Sequence, residues 1–387
     1  MTTWVPGAAG SPYDLDNLPY GVFTHHGDQP RVGVRIGDWV LDAPAVAALG
    51  GDPGEGPDLA TAWRSTSLNR FLATGRPVWR IARDWLVDVL GNDVHAAAVR
   101  PHLIPVGEVA LQLPFEVADY VDFYASIHHA SNVGRIFRPD SEPLTPNWRH
   151  LPIGYHGRAG TVVVSGTPVR RPSGQQRAPE GPTYGPSQRL DIEAELGFVV
   201  GTPSALGVPV PVEAYEDHVF GVLPLNDWSA RDIQAWEYVP LGPFLGKSFA
   251  TSVAGWVTPL EALDAARITL PAQDPEPLPY LRGGPGYDID FEVVLNGEVV
   301  SRPPYAAMYW SPAQMLAHLT VNGASLRTGD LYASGTISGP EPDQVGSFLE
   351  LSQVYLHDGD EVVLRATAPG ALGGRIALGE VTGVVVS

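Results

Sequence analysis

Hydrophobic and polar residues alternate with period two over residues 191–200, and that pattern predicts a strand. Ile192, Ala194, Leu196 and Phe198 fall on one face, and Asp191, Glu193 and Glu195 on the other. The same period marks Val32, Val34 and Ile36. Gly37-Asp38 then turns the chain and Trp39-Val40-Leu41 returns, which predicts a hairpin. Residues 58–74 and 78–90 carry helical spacing. In the second, Trp79, Ala82, Leu86, Val89 and Leu90 share a face and Gly91 ends it. Val109, Leu111 and Leu113 alternate before Pro114, so a connecting strand is expected within 103–113.

From residue 119 the texture changes to short strands between Gly- and Pro-rich loops. Strands are expected at 161–164, 193–200, 219–225, 289–295, 298–300 and 361–364, with Asn296-Gly297 as a type I′ turn. One helix interrupts them, with Ser311 as N-cap, Pro312 in its first turn and Gly323 as its stop. The chain therefore divides near residue 117. Residues 1–117 form a β-rich module with helices, and residues 118–387 a larger, mostly antiparallel or mixed β-domain.

Composition supports an ordered chain. Of 387 residues, 44% are hydrophobic, enough for a large core. The 43 glycines and 38 prolines favour short strands and ordered loops over long helices. No cysteine is present, which excludes disulfides, thiolate nucleophiles and iron–sulfur clusters. Acidic residues outnumber basic ones by 43 to 24, a net charge of −19, so nucleic acid is not expected as a partner. No apolar run approaches the ~20 residues a membrane helix needs, and the N-terminus lacks a basic, then apolar, leader pattern. A cytoplasmic protein without a membrane partner is the expectation.

Four stretches concentrate polar and aromatic side chains. The first runs from Asp119 to Tyr124 and on through His128-His129. Asp122 there alternates onto one face with Tyr120 and Tyr124, and on an extended chain only one of the two histidines reaches a site. The second is the carboxylate strand. Neighbouring carboxylates repel unless water, Lys/Arg or a metal neutralises them, and a Glu-x-Glu pair suits a hard ion, Mg²⁺ or Ca²⁺. Asp191 is assigned instead to a surface Lys or Arg. The third stretch is Asn226-Asp227-Trp228-Ser229-Ala230-Arg231-Asp232-Ile233-Gln234, running to Gly246-Lys247-Ser248. The fourth is Ala333-Ser334-Gly335-Thr336-Ile337-Ser338-Gly339-Pro340-Glu341, a loop whose N–H groups suit an anion.

Several motifs fail. Gly242-Pro243-Phe244-Leu245-Gly246-Lys247-Ser248 is too short for a phosphate-binding loop, and Gly246-Lys247-Ser248-Phe249-Ala250 lacks the last glycine of a nucleophile elbow. No dinucleotide fingerprint opens a helix. Water is thus the expected nucleophile, and the parts are those of metal-assisted hydrolysis or enolate chemistry.

At these stretches the chain resembles the fumarylacetoacetate hydrolase family over nearly its whole length. The likeness includes Asn17-Leu18-Pro19-Tyr20-Gly21-Val22-Phe23 and Gly154-Tyr155-His156-Gly157-Arg158-Ala159. It is strongest over the third stretch and over Trp236-Glu237-Tyr238-Val239-Pro240-Leu241-Gly242-Pro243-Phe244-Leu245-Gly246-Lys247-Ser248-Phe249. The resemblance implies a mainly β, α+β chain with a small N-terminal SH3-like barrel domain, a C-terminal mixed β-roll and a homodimer. It implies hydrolysis of a carbon–carbon bond of a small diketo acid, 4-fumarylacetoacetate, to fumarate and acetoacetate. By matching position, it implies Mg²⁺ or Ca²⁺ on Asp122, Glu193, Glu195 and Asp227, with Lys247 and Thr251 beside that site. It implies His129 as general base, Glu350 as its partner, and Arg231, Gln234 and Lys247 as stabilisers of the leaving carbanion. Tyr124, Arg138, Tyr155, Tyr238 and Thr336 match substrate-contacting positions, as do Arg231 and Gln234. Two departures stand out: His128 replaces a Gln of the mammalian enzymes, and 352–358 replaces a longer loop. A binding protein that keeps the carboxylate site without turnover is the competing class.

Overall fold

The computed structural model describes residues 2–50, 58–351 and 354–387. Its organising unit is a 13-stranded sheet to which both parts of the chain contribute. Tyr20–His25 pairs antiparallel with Arg31–Ile36 and with Val109–Gln112. Its first residues, Tyr20 and Gly21, also pair with Val257 and Trp256 of the strand Trp256–Pro259. Gly21 is required there, because a Cβ would lie 2.7 Å from both the Gly255 carbonyl and the Trp256 ring. Beyond Trp256–Pro259 the sheet continues through Val219–Asp227, Ala194–Val200, Leu331–Ala333, Tyr120–Phe123 and Gly154–His156. The Leu331–Ala333 and Tyr120–Phe123 strands run parallel, so the sheet is mixed. A second, five-stranded sheet is built around Glu361–Pro369 and Arg375–Val386.

The predicted hairpin forms between Arg31–Ile36 and Trp39–Asp42, with Gly37 at a φ of +55° in the turn. The Asn296-Gly297 turn has positive φ at both residues, as a type I′ turn demands. The helix Pro312–Thr320 carries a full capping box between Ser311 and Gln314. Of the two expected N-terminal helices, the second forms as Arg76–Gly91, burying Trp79, Ala82, Leu86, Val89 and Leu90. The first is two short pieces, Leu59–Trp63 and Asn69–Leu72. Their aromatic side chains pack across the junction of the two parts. Phe220, on the Val219–Asp227 strand, lies 5.4 Å from Tyr20, 5.7 Å from Phe71 and 5.3 Å from Trp79, ring centre to ring centre. Among the described residues no ladder joins Leu103–Pro105 to Val109–Gln112, so hydrogen bonds do not close the N-terminal strands into a barrel.

Three expectations change. The run 191–200 is not one strand: Leu190–Asp191 pairs with Ser229–Ala230, the ladder is interrupted at Ile192-Glu193, and Ala194–Val200 follows. Both faces of the latter are buried, so alternation here separates two buried environments rather than core from water. The histidines at 128 and 129 lie on a helix, Ile127–Phe137, capped by Ser126, and not on an extended segment. The 12-residue strand Arg375–Val386 replaces the run of short strands expected at the C-terminus. Within the divergent loop at 352–358, residues 352 and 353 lie outside the described residues.

Candidate metal centre and active-site cavity

Sheet pairing brings the acids together. Ala194 pairs with Asn226 and Glu195 with Leu225, so Asp227 arrives beside Glu193, and its N–H donates to the Glu193 carbonyl at 3.1 Å. On the other side Gly197 pairs with Ala333, and Ala333 with Asp122. Asp122, Glu193, Glu195 and Asp227 thereby offer carboxylate oxygens within 4.8 Å of one another, all four residues buried. Four oxygen donors of this kind suit a hard divalent cation.

Two cations are buried in the same place. Lys247 Nζ lies 2.6 Å from Glu193 and 2.9 Å from Asp227. Arg231 donates from Nη1 to Glu193 at 2.7 Å and from Nε to Asp191 at 2.8 Å. Tyr155 and Thr251 donate to Asp227 at 3.2 and 3.4 Å, and the Gly335 N–H donates to Glu195 at 3.2 Å. The glycine-rich loop expected to hold an anion thus holds one of the chain's own carboxylates. Burial, which raises a carboxyl pKa, is outweighed at Glu193 by Lys247 and Arg231, and its carboxyl lies below the usual range. Asp122 is pushed well up by burial and by Asp227, and Glu195 by burial and by Asp122. Asp122 Oδ1 and Glu195 Oε1 are buried without a hydrogen-bond partner. With Asp191 included, five buried carboxylates face only Lys247 and Arg231. The unpartnered oxygens and the surplus of negative charge both fit a bound cation. Lys247 is held beside the cluster by two of its carboxylates. Burial lowers its pKa but Asp227 and Glu193 more than reverse this, and a protonated ammonium has no lone pair.

Opposite this cluster stands an imidazole–carboxylate pair. His129 Nδ1 is 2.7 Å from Glu350 Oε2, and both side chains are almost fully buried. Asn132 donates to Glu350 at 2.8 Å, Ser347 at 2.8 Å and Ser338 at 3.1 Å. Burial raises the Glu350 carboxyl, but His129, Asn132 and Ser347 outweigh it and leave the pKa below its ordinary value. Asn132 sits one helical turn from His128 and three residues from His129, which is how the helix presents His129 and Asn132 to one partner. His128 is half-buried, and burial lowers its pKa against the opposing pull of Glu350.

A cavity of about 400 Å³ joins the two halves. Asp122, Glu193, Arg231 and Lys247 line one side, and His129 with Tyr124 another. Gln234, Arg138, Tyr155, Tyr238 and Thr336 complete the set of sequence-predicted residues in its wall. Glu195, Asp227, Thr251 and Glu350 do not line the cavity; Asp227 holds Lys247 and Tyr155, and Glu350 holds His129, all three of which do. Arg138 donates to the Pro143 carbonyl at 2.8 Å, and Thr336 Oγ1 is buried without a partner. Apolar wall comes from Val133, Phe137 and Ile153, and from Leu241 and Pro243 in the exposed segment after Tyr238.

Sequence reading missed the residues that hold Glu350: Asn132, Ser338 and Ser347. Ser338 and Ser347 flank a loop with no periodicity, and only the helical spacing of Asn132 from His129 offered a signal. It also misplaced Asp191. That carboxylate is fully buried, not paired at the surface. Asp232 and Glu237 hold the backbone N–H groups of Gln188 and Gly246, a structural use.

The family model for the fumarylacetoacetate hydrolase C-terminal region matches residues 119–382, and that for the fumarylacetoacetase N-terminal region matches residues 16–114. A fumarylacetoacetase from Oryza sativa subsp. japonica is 43% identical over 419 aligned residues, covering 100% of this chain and 97% of that protein. One from Homo sapiens is 44% identical, covering 99% of this chain and 98% of that protein. Among solved structures, a fumarylacetoacetate hydrolase from Exiguobacterium antarcticum superposes with a TM-score of 0.58 at 19% identity, over 96% of this chain and 99% of that one. A maleylpyruvate hydrolase from Sphingobium sp. SYK-6 gives 0.52 at 18% identity, over 95% and 100%. At such identities these two speak for a shared fold alone.

Proposed function

Because this chain belongs to the fumarylacetoacetate hydrolase family, we propose that it hydrolyses 4-fumarylacetoacetate to fumarate and acetoacetate, the last step of tyrosine and phenylalanine breakdown. The observation that carries this reading is one cavity whose wall holds a carboxylate-held imidazole, His129, together with Asp122 and Glu193 of the buried carboxylate cluster.

Cleaving a carbon–carbon bond between two carbonyl groups needs a nucleophile at one and a home for the electron pair on the other fragment. His129 takes a proton from water, and the resulting hydroxide adds to the carbonyl carbon of the fumaroyl part. Glu350 on Nδ1 fixes the ring so that Nε2 is the basic atom, and it stabilises the imidazolium. When the tetrahedral adduct collapses, the electron pair of the breaking bond goes to the acetoacetate fragment as an enolate, which then takes up a proton. Arg231, Gln234 and Lys247, which share the cavity wall, stabilise that negative charge as it develops. Asp122, Glu193, Glu195 and Asp227 would hold a divalent cation, Mg²⁺ or Ca²⁺, which would supply Lewis-acid polarisation of the diketo oxygens and so favour the enolate. Tyr124, Arg138, Tyr155, Tyr238 and Thr336 orient the dianionic substrate, with the Arg138 guanidinium facing a terminal carboxylate.

The same reading divides the chain near residue 117 into an SH3-like N-terminal domain and a catalytic domain. It makes the protein a cytoplasmic homodimer. No described helix is long and apolar enough to cross a membrane.

The test is a spectrophotometric assay for loss of 4-fumarylacetoacetate by the purified protein, with chelator and then with each cation restored. Turnover that depends on cation and on His129 supports the reading. Tight substrate binding without turnover under every cation would instead support the binding-protein class.

A further inference from the structure

Asp191 belongs to neither half of the proposed machinery and touches both. It is fully buried, and its side chain is absent from the cavity wall. Oδ2 accepts from Arg231 Nε at 2.8 Å and from the Leu349 N–H at 3.1 Å. Oδ1 accepts from the Phe348 N–H at 2.8 Å and from its own neighbour Ile192 at 2.7 Å. All four donors are distinct, so the carboxylate is saturated.

The two connections lead in opposite directions. On one side the Asp191 strand pairs with Ser229–Ala230, and the chain leaves that pair directly into Arg231. With Nε on Asp191 and Nη1 on Glu193 and Gln234, the guanidinium has one nitrogen, Nη2, that is buried without a partner. On the other side, Ser347 to Leu351 form a single turn, with Glu350 N donating to the Ser347 carbonyl and Leu351 N to that of Phe348. The Phe348 and Leu349 N–H groups at its start have no carbonyl partner in the turn. A carboxylate there acts as a helix cap brought in from 157 residues away. The turn it caps carries Glu350, the partner of His129.

We propose that Asp191 is a positioning residue that fixes, through one carboxylate, both the Arg231 guanidinium on the electron-accepting side and the Glu350 turn on the proton-accepting side. The proposal rests on the catalytic reading of His129, Glu350 and Arg231 given above. A buried carboxylate is costly unless paired, and Arg231 alone would have satisfied the pairing. The two backbone donors of the Glu350 turn are what tie the halves of the site into one rigid unit.

The test compares Asp191→Asn, Glu350→Gln and the double variant, in the full chain with its cation present. Asn keeps the size but loses the charge and one acceptor. Asp191→Asn should lower kcat about 10- to 100-fold, the range typical when a group that orients a catalytic side chain is lost, with KM changed far less. Because a loosened Glu350 stabilises the imidazolium less, the acid limb of kcat/KM should move to lower pH. In the double variant the loss should be well short of the product of the two single losses. Multiplicative losses, or an unmoved acid limb, overturn the proposal while leaving the role of Glu350 intact. If Glu350→Gln alone keeps full turnover, the catalytic reading fails and this inference falls with it. A readout that needs no variant is amide hydrogen exchange. Phe348 and Leu349 should exchange slowly in the unaltered protein, and exchange at open-loop rates would remove the cap and the proposal.

Discussion

His129 Nδ1 and Glu350 Oε2 lie 2.7 Å apart, although 221 residues separate them in the chain. With Nδ1 occupied, Nε2 is the only ring nitrogen free to accept a proton. His129→Ala should therefore lower kcat by ~10²- to 10⁴-fold, the usual contribution of a positioned base. Cation binding, followed by calorimetry, should stay unchanged, because no carboxylate of the cluster is lost. Unimpaired turnover would reject the assignment.

Glu350 also makes a prediction about pH and stability. Its carboxyl lies below the ordinary value of 4.5 because His129, Asn132 and Ser347 favour the ionised form over the cost of burial. A carboxyl depressed in the folded state stabilises the fold above its unfolded pKa, and the contribution is lost as pH falls through the folded one. Thermal unfolding of the parent protein should thus drop more steeply on acidification below about pH 4.5 than that of Glu350→Gln. Parallel Tm curves for the two proteins would contradict the shift.

Asp122 and Glu195 lean the other way, toward the protonated acid, because burial opposes ionisation, reinforced at Asp122 by the charge of Asp227 and at Glu195 by that of Asp122. A cation that binds them must displace protons. Cation affinity should therefore weaken as pH falls, and the heat of binding should depend on the ionisation enthalpy of the buffer. Glu195→Gln should weaken binding at every pH, and a titration identical to the parent's would remove Glu195 from the ligand set.

Lys247 competes with any cation for Glu193 and Asp227. Lys247→Met removes that competitor, leaves Asp227 without its cationic partner and leaves Glu193 with Arg231 alone. Without cation the variant should be destabilised by about 3–5 kcal/mol, the cost of breaking a buried ion pair from one side. Its cation affinity should nonetheless rise, while turnover falls because the charge near the developing enolate is gone. Weaker cation binding in this variant would make Lys247 a supporter of the ion site rather than its rival.

Gly335 has a φ of +73°, and a Cβ there would sit 2.0 Å from the Phe123 carbonyl oxygen. Gly335→Ala should move the loop that donates to Glu195, lowering Tm and cation affinity together. A variant with parent Tm would show that the loop yields without cost.

Local chemistry was readable wherever one residue type dictates one backbone shape. Asn296-Gly297 turned as its residues require, and Ser311 capped its helix with Gln314 closing the box. The carboxylate cluster was half-legible. Glu193 and Glu195 follow from alternation, but Asp122 and Asp227 join them only through strand pairings set by the whole sheet. The histidine pair was read as extended because a polar run of His, Ser and Asn carries little apolar periodicity. The Ser126 cap that starts the helix was the overlooked signal. Asp191 was sent to the surface because acid is usually exposed, and nothing local to it announces a guanidinium 40 residues on.

The pairing of Tyr20 and Gly21 with Val257 and Trp256 bears on how this chain could be dissected. A shortened form starting near residue 117 would strip a flank of the catalytic sheet bare and uncover Phe220, a ready template for stacking copy upon copy. The front third is thus a guard against self-association as much as a neighbour, and its removal should yield aggregates rather than a smaller working catalyst.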